Sequence, residues 1–199
     1  MDACALIPIK RRSLCKTRLA AVLPARARLE LVRSMLATVL SAAAAAQTVR
    51  QVIIISPERD CVPADVPVLA DTGESLNRAL TQAQDMLRDF ACPALVVLPA
   101  DLPRITAAEI DTLVRAGRSS GFALAPDVAG TGTNALCLAA AQPFRFQFGP
   151  DSRRLHLQEA RRLGLNPQVI SLAGLRFDVD TPADLELLDQ DPWHARRLA

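Results

Sequence analysis

The chain has 199 residues and a formal charge of +2 at pH 7; half of its residues are hydrophobic and 22% are charged. This balance is typical of a folded globular domain and excludes wholesale disorder. The nearly neutral charge and the aromatic content of 4% argue against a nucleic-acid partner, which would need a strongly basic face or stacking aromatic side chains. We expect a single domain over residues 1–199.

The composition also bears on where the chain works. No apolar run reaches about 18 residues, so we expect no membrane-spanning helix and no membrane partner. An acid, Asp2, stands where a signal peptide would carry basic residues. The five cysteines are scattered without a CxxC pair, which is typical of reduced thiols. These features predict a cytoplasmic protein.

Strands and helices are predicted to alternate along the chain. The first half contains a strand at 4–9, a helix at 24–47, strands at 51–55 and 66–69, a helix at 75–90 and a strand at 94–98. The second half contains a helix after residue 106, strands at 122–125 and 135–139, a helix at 151–163, strands at 168–172 and 175–179, and a helix at 181–189. This order indicates an α/β three-layer sandwich with a mostly parallel sheet. Ligands of such sheets bind outside the carboxyl ends of the strands, so the loops there are the candidate sites.

The loop after the first predicted strand is strongly basic. Both lysines of the chain, Lys10 and Lys16, lie in it together with three arginines, and it contains no glycine. It is therefore neither a P-loop nor a Gly-rich dinucleotide turn. It can neutralise a polyphosphate, or it can be an ordinary solvated loop, and its sequence alone leaves both interpretations open.

An acid follows the predicted central strand at 94–98. Asp101 is expected to face the ligand crevice, where a carboxylate suits Mg²⁺. The alternative is that Asp101 caps the turn before the helix that Thr106 is expected to begin.

A second acidic segment lies near the end of the predicted sheet. Asp178 and Asp180 flank Val179, so in an extended segment both carboxylates point to one side. Two carboxylates held together are costly without a nearby cation. Thr181 and Asp184 are explained as capping residues of the last helix.

Two further loops carry residues suited to an anionic ligand. Residues 130–134 place two glycines, two threonines and Asn134 before a strand, which is typical of backbone that approaches a ligand but also of a plain turn. Gly149 and Ser152 lie where the helix at 151–163 begins, and its free N–H groups are expected to attract a phosphate or carboxylate. His156, on that helix, is expected to be solvated.

These segments together resemble one protein family. The motifs in chain order are P-I-K…K-T-R-L-A, E-S-L-N-R-A-L at 74–80, L-P-A-D-L-P, G-T-N-A-L, F-G-P-D-S and D-V-D-T-P-A-D-L. They resemble the CofC/FbiD guanylyltransferases of coenzyme F-420 biosynthesis. The resemblance implies a nucleotide-diphospho-sugar transferase (GT-A-like) fold. It also implies transfer of GMP from GTP to the phosphate of phosphoenolpyruvate, 2-phospho-L-lactate or 3-phospho-D-glycerate, with release of pyrophosphate.

The resemblance also implies roles for individual residues. The residues implied in catalysis are Lys16, Arg18 and Asp101, and those implied in holding Mg²⁺ are Asp101 with one or both of Asp178 and Asp180. The residues implied in substrate binding are Lys10 and Arg12 for phosphates, Ser75, Leu76 and Asn77 for guanosine, and Thr133, Asn134, Gly149 and Ser152 around the acid. Some family members have Thr at the position of Asn134, and Asp151 places an acid beside this acceptor pocket, which leaves the identity of the acceptor open.

Other functions remain open from the residues alone. The chain could be another nucleotidyltransferase or a glycosyltransferase of the same fold, a non-catalytic nucleotide-binding domain, or an interaction domain that docks through its basic loop. Cations and carboxylates together favour an enzyme over the last two. The apolar helix at 24–47 could supply the face of a homodimer.

Overall fold

A seven-stranded sheet organises the computed structural model, which describes residues 3–9, 16–59, 62–71, 75–88 and 92–190. The strands are β1 (Ala3–Pro8), β2 (Val49–Ser56), β3 (Val68–Ala70), β4 (Ala94–Val97), β5 (Phe122–Pro126), β6 (Thr133–Ala139) and β7 (Gln168–Val169). The helices are α1 (Ala25–Ala45), α2 (Leu76–Leu87), α3 (Ala107–Ser120), α4 (Ser152–Arg162), α5 (Ala173–Arg176) and α6 (Pro182–Asp189). A short 3-10 turn, Thr17–Leu19, follows the basic loop.

The strand order in the sheet is β3-β2-β1-β4-β6-β5-β7. All neighbouring pairs are parallel except those that β6 makes with β4 and β5. The prediction of a mostly parallel α/β sandwich is therefore confirmed. Because β6 runs in the opposite direction, its first residues lie at the same edge as the carboxyl ends of β1, β4 and β5.

Two apolar clusters cover the faces of the sheet. Along β4, Ala94 and Val96 join the cluster that includes residues of α1 and α3, whereas Leu95 and Val97 join the cluster that includes residues of α2 and α4. A strand covered on both faces must be apolar at every position, which is why residues 94–98 form an unbroken hydrophobic run. Asp101 follows this covered strand in the chain.

The helix ends follow their capping residues. The Ser75 side chain accepts a hydrogen bond from the Arg78 N–H at the start of α2. Thr106 with Glu109, and Thr181 with Asp184, form reciprocal capping boxes at the starts of α3 and α6. Each box satisfies backbone donors that a helix cannot pair within itself.

The prediction of a strand at 175–179 is wrong. The one-turn helix α5 occupies part of this segment, and residues 177–180 belong to neither a helix nor a strand of the sheet. Side chains hold this backbone instead: Glu109 accepts from the Gly174 N–H at 2.8 Å, and Asn134 donates to the Arg176 carbonyl at 2.9 Å. The predicted strand at 168–172 is also shortened, to Gln168–Val169.

The expectation of reduced thiols is also corrected. Cys4 of β1 and Cys92, which precedes β4, form a disulfide with their Cα atoms 6.0 Å apart. Cys137 is a buried free thiol, and burial raises its pKa to about 12.

The described ranges contain no helix that is a candidate for a membrane span. None of the helices there has the length and apolar character needed to cross a bilayer.

Candidate active site

Three carboxylates converge at the carboxyl edge of the sheet. Asp101 follows β4, and Asp178 and Asp180 lie in the segment between α5 and α6. One oxygen from each lies within 4.8 Å of the others. The side chains predicted from sequence to hold Mg²⁺ are therefore neighbours, although Asp101 and Asp178 are 77 positions apart in sequence.

Lys16 lies among these carboxylates. Its Nζ donates to Asp101 Oδ2 at 2.5 Å and to Asp180 Oδ1 at 2.7 Å, and its side chain is only 9% exposed. Burial alone would lower the pKa of Lys16, but attraction to Asp101 and hydrogen bonds to both carboxylates raise it overall. The ammonium therefore stays charged and partly neutralises the acidic cluster.

Asp178 is the carboxylate that this lysine does not bind. Burial, together with the negative charges of Asp101 and Asp180, raises the pKa of Asp178 from 3.8 to about 6, against the opposing effect of a hydrogen bond from Asn134. That bond joins Asn134 Nδ2 to Asp178 Oδ1 at 3.2 Å. The structure thus places Asn134, predicted as a substrate-binding residue, against a carboxylate of the acidic cluster.

Backbone contacts fix the orientation of the acidic segment. The Val179 N–H donates to the Asp101 carbonyl at 3.3 Å, and the Asp180 N–H donates to Asp184 Oδ2 at 3.0 Å. Val179 is buried in the same apolar cluster as Leu19 of the 3-10 turn. One small cluster therefore holds both the segment that carries Lys16 and the segment that carries Asp180.

The acidic cluster fits a hard divalent cation. Asp101 Oδ1 is buried, and no group in the described ranges hydrogen-bonds it. Three carboxylates face one buried ammonium, so negative charge remains in excess, and Mg²⁺ prefers such oxygen ligands. Asp101, Asp178 and Asp180 are the residues that could hold it.

Residues assigned to the acceptor acid meet at a second part of the same edge. The Thr133 N–H donates to Ser152 Oγ at 2.9 Å, and the Ser152 N–H donates to the Gly149 carbonyl at 3.2 Å. Gly149 has φ 134°, in the region that favours glycine. Among the described residues, apart from Gly149 and its two chain neighbours, no atom lies within 4 Å of where a Cβ on Gly149 would stand, so the space beside it is open with respect to them.

The first N–H groups of α4 are not all free, in contrast to the expectation from sequence. Besides the Ser152 N–H, the Arg153 N–H is bonded to the Thr131 carbonyl at 3.1 Å. An anion at this helix start would therefore meet side-chain hydroxyls and the open space beside Gly149 as well as any remaining backbone donors.

The residues assigned to guanosine have structural contacts of their own. Ser75 caps α2, and Leu76 packs against the apolar cluster on that face. Asn77 donates to the Phe148 carbonyl at 3.1 Å and accepts from the Phe148 N–H at 2.7 Å. Asn77 thereby ties the nucleotide side of the predicted site to the loop that leads to Gly149.

The basic loop is described only in part. Arg18 is exposed, and its Nη1 lies 3.4 Å from Asp180 Oδ2. Lys10 and Arg12 lie outside the described residues, so their assignment to phosphate stays a prediction.

The comparison with known families agrees with this geometry. A family model described as "Guanylyl transferase CofC like" matches residues 3–190. The chain belongs to this family.

The CofC-like family assignment is supported by individual relatives. A phosphoenolpyruvate guanylyltransferase from Sphaerobacter thermophilus is 40% identical over 192 residues, which cover 94% of this chain and 93% of the relative. A relative of the same name from Chloroflexus aurantiacus is 36% identical over 181 residues, which cover 88% of each chain. This CofC-like chain is therefore a nucleotidyltransferase.

Solved structures support the fold of this CofC-like enzyme. A structure from Desulfovibrio desulfuricans, described as a nucleotide-diphospho-sugar transferase, matches 98% of this chain and 94% of its own with a TM-score of 0.80 at 17% identity. A CMP:2-keto-3-deoxy-manno-octonic acid synthetase complexed with CTP matches 100% of this chain and 99% of its own with a TM-score of 0.65 at 14% identity. The α/β GT-A-like fold expected from sequence is confirmed.

His156 of this CofC-like enzyme lies beside the candidate site but was not predicted from the sequence to belong to it. The residue was expected to be solvated, which is wrong, because it is fully buried. It lies one helical turn after Ser152 and one before Ala160, and all three are buried on the same face of α4. That spacing was readable from the sequence, but the high charge of the helix obscured it.

Proposed function

We propose that this guanylyltransferase moves GMP from GTP to the phosphate of phosphoenolpyruvate and releases pyrophosphate, as a step in coenzyme F-420 biosynthesis. The observation that carries the proposal is the cluster of Asp101, Asp178 and Asp180 around Lys16 at the carboxyl edge of the sheet. Carboxylates and a cation at one point suit a reaction in which the charge of a triphosphate is redistributed.

Phosphoenolpyruvate is favoured as acceptor by the relatives. The relatives from Sphaerobacter and Chloroflexus both carry it in their names and align with most of this chain. 2-Phospho-L-lactate and 3-phospho-D-glycerate offer a phosphate and a carboxylate on the same three-carbon scale, so they are the competing acceptors.

The reaction needs no strong general base. A phosphate monoester is largely ionised near neutral pH, so an oxygen of the acceptor phosphate can attack the α-phosphorus of GTP directly. A bond forms between that oxygen and the α-phosphorus. The bond between the α-phosphorus and the oxygen that bridges the α- and β-phosphates breaks, and pyrophosphate leaves with the electron pair. The chain therefore acts by positioning both substrates and neutralising charge.

One group of residues neutralises the charge of the phosphates. Asp101, Asp178 and Asp180 would hold Mg²⁺, which supplies neutralisation of the triphosphate and the departing pyrophosphate when bound. Lys16 offsets charge at the α-phosphate or the leaving group, and Arg18, with Lys10 and Arg12, binds the outer phosphates.

The remaining site residues position the two substrates. Ser75, Leu76 and Asn77 flank the guanosine, and Thr133, Gly149 and Ser152 form the acceptor pocket. We assign Asn134 to orient Asp178 beside that pocket.

The first test is pyrophosphate release from GTP and Mg²⁺ with each of the three acids in turn. We expect release with phosphoenolpyruvate, and none when ATP, CTP or UTP replaces GTP. Release with another acid would reassign the acceptor, and release with CTP or UTP alone would reassign the nucleotide. No release under any condition would contradict the proposal.

The metal assignment is tested by Asp101→Asn, which keeps the size of the side chain but removes its charge. We expect kcat/KM to fall by about two to three orders of magnitude with an unchanged fold, as for other preorganised electrostatic groups. Asp85→Asn, at a surface acid paired with Arg88, is the matched control and should behave as wild type. An active Asp101→Asn enzyme would remove this carboxylate from the chemistry.

A further inference from the structure

His156 of α4 is buried between Thr133, a residue of the predicted acceptor pocket, and residues 144–148 of the loop that precedes α4. Its ring is fully shielded from solvent. It packs against Phe148 with ring centroids 4.8 Å apart and against Phe144 with centroids 5.8 Å apart. Its two nitrogens make one hydrogen bond each, to different segments of the chain.

These two hydrogen bonds determine which nitrogen carries the proton. The Gln147 N–H donates to His156 Nε2 at 2.9 Å, so Nε2 acts as the acceptor. Nδ1 lies 3.0 Å from Thr133 Oγ1. In a neutral ring the proton must then be on Nδ1, which donates to the threonine oxygen. Burial supports the neutral form, because it lowers the pKa of His156 from 6.5 to about 4.

The direction of this hydrogen bond decides what the Thr133 hydroxyl can do. Because Oγ1 accepts from the imidazole, its own proton is left to donate elsewhere. Ser152 is in the same situation, since its Oγ accepts from the Thr133 N–H. Both residues are buried, and within the described ranges neither hydroxyl donates a hydrogen bond to the protein, so both O–H protons lack a protein acceptor there.

The location of Thr133 indicates which ligand these donors meet. Thr133 begins β6, and the next residue, Asn134, binds Asp178 of the acidic cluster. The N–H groups of Ser152 and Arg153 are already used within the protein. An anionic acceptor that reached Thr133 and Ser152 would therefore find hydroxyl protons whose direction is set by His156 and the Thr133 N–H.

We propose that His156 is a positioning residue for the acceptor: its neutral ring, protonated on Nδ1, orients the Thr133 hydroxyl so that it donates to the bound phospho-acid. This inference rests on the proposed function, because it takes the phospho-acid as the group that the hydroxyl meets. His156 itself does not touch the substrate.

Two substitutions separate the two hydrogen bonds of the ring. In His156→Asn the amide nitrogen is bonded to Cγ, as Nδ1 is, and can still donate to Thr133, whereas the acceptor for Gln147 is lost. In His156→Gln the amide lies one bond further out, like Nε2, so it can accept from Gln147 but cannot serve Thr133 from the Nδ1 position.

The kinetic expectation differs between these variants. We expect the KM for phosphoenolpyruvate to rise about tenfold or more in His156→Gln, as for loss of a hydrogen bond to a charged group. The KM for phosphoenolpyruvate should stay near the wild-type value in His156→Asn, even if the Tm of His156→Asn is lower than that of His156→Gln. The KM for GTP should be unchanged in both. A KM for phosphoenolpyruvate that follows Tm across the two variants would show a merely structural role and overturn the proposal.

A double-mutant cycle with Thr133→Val tests the route of the effect. Because His156 is proposed to act through the Thr133 hydroxyl, His156→Gln should cause no further rise in the KM for phosphoenolpyruvate once that hydroxyl is removed. Additive effects would overturn the proposal. Thr133→Ser, which restores a hydroxyl, should recover the low KM.

The tautomer is measurable without any substrate. The chain has two histidines, so the ¹⁵N signals of His156 are identified by their loss in His156→Asn. We expect a protonated Nδ1 and an unprotonated Nε2 in the wild-type chain at neutral pH. A proton on Nε2 would overturn the inference, whereas a wild-type chain with this tautomer that releases no pyrophosphate would contradict only the proposed function.

Discussion

Lys16 lies between two carboxylates where a divalent cation would also be attracted. Its backbone has φ 51°, in the left-handed region that non-glycine residues rarely adopt and that is concentrated at functional sites. The conformation is held by the following 3-10 turn, whose Leu19 N–H donates to the Lys16 carbonyl and whose Leu19 side chain is fully buried. The structure therefore fixes the ammonium within the acidic cluster.

Replacing this ammonium should make the stability of the chain depend on divalent metal. In Lys16→Met the three carboxylates lose their buried cation, so their mutual repulsion is no longer offset. Without divalent metal we expect Tm to fall by about 5 °C, because about 1–2 kcal/mol of neutralisation is lost and each kcal/mol corresponds to about 2–4 °C at this chain length. Differential scanning fluorimetry with increasing Mg²⁺ measures the effect.

The comparison with wild type makes this test specific. Mg²⁺ should raise Tm more in Lys16→Met than in wild type, where the ammonium already binds Asp101 and Asp180. The control is Arg26→Met, which removes an exposed cation paired with Glu30. An equal Mg²⁺ response in all three chains would show that Lys16 and the metal do not share these ligands.

At the scale of secondary-structure elements, Asp111 joins α3 to the turn between α1 and β2. Its Oδ1 accepts from the Thr48 N–H at 2.8 Å and from the Thr48 hydroxyl at 2.7 Å, and its Oδ2 accepts from the Gln47 N–H at 3.3 Å. Burial alone would raise the pKa of Asp111, but these hydrogen bonds lower it overall from 3.8. The folded state therefore favours the ionised carboxylate.

Asp111→Asn should destabilise the fold, and the effect should depend on pH. In either orientation, the NH₂ group of the asparagine faces a backbone N–H, that of Thr48 or that of Gln47, and two donors cannot pair. We therefore expect the free energy of unfolding to fall by about 1–3 kcal/mol at pH 7. Because the folded-state pKa is lowered, the wild-type advantage is present above the unfolded value and is lost as pH falls through the folded one.

Denaturant unfolding of wild type and Asp111→Asn between pH 7 and pH 3 measures this difference. The gap in unfolding free energy should narrow once pH drops below the ordinary value of 3.8. Asp85→Asn, on an exposed helix face, should show no such gap. A gap that stays constant with pH would mean that the charge of Asp111 does not contribute.

How much the sequence could predict differs between elements. Periodicity and caps predicted most of the helices, and the unbroken apolar run predicted the central strand at 94–98, because those signals are local. The segment at 173–180 was mispredicted, because Glu109 and Asn134, distant in sequence, hold its backbone. Burial of His156 likewise depends on Phe144 and Phe148, which the helix pattern alone does not bring to it.

At the scale of the whole molecule, the site exists only when the sheet is complete. Lys16 and Asp180 are 164 residues apart in sequence, and Lys16 and Asp101 are 85 residues apart. Sequence could predict which edge of the sheet gathers such residues, since parallel strands end together. It could not predict that Lys16 turns back onto the acids, because that depends on the packing of the 3-10 turn against α1 and the 177–180 segment.

The disulfide between Cys4 and Cys92 lies away from that edge. Cys4 is near the start of β1 and Cys92 precedes β4, so the bridge joins the amino ends of the two strands whose carboxyl ends lead to the site. It closes a loop with a sequence separation of 88. In the chain-entropy description, such a bridge restricts the unfolded chain and contributes about 4–5 kcal/mol.

We therefore expect reduction to affect stability and not catalysis. Dithiothreitol should lower the Tm of the oxidised wild-type chain by about 10 °C, given about 2–4 °C per kcal/mol. The KM values for GTP and the acceptor should stay the same, because the bridge contacts neither site.

The double variant Cys4→Ala, Cys92→Ala should have a lower Tm than the oxidised wild-type chain, with or without reductant. Intact mass after alkylation of the denatured chain shows directly whether the two thiols are bonded. A wild-type Tm that does not respond to dithiothreitol, with all five cysteines alkylated, would show that the thiols are reduced in solution and that β1 and β4 are held by sheet pairing alone.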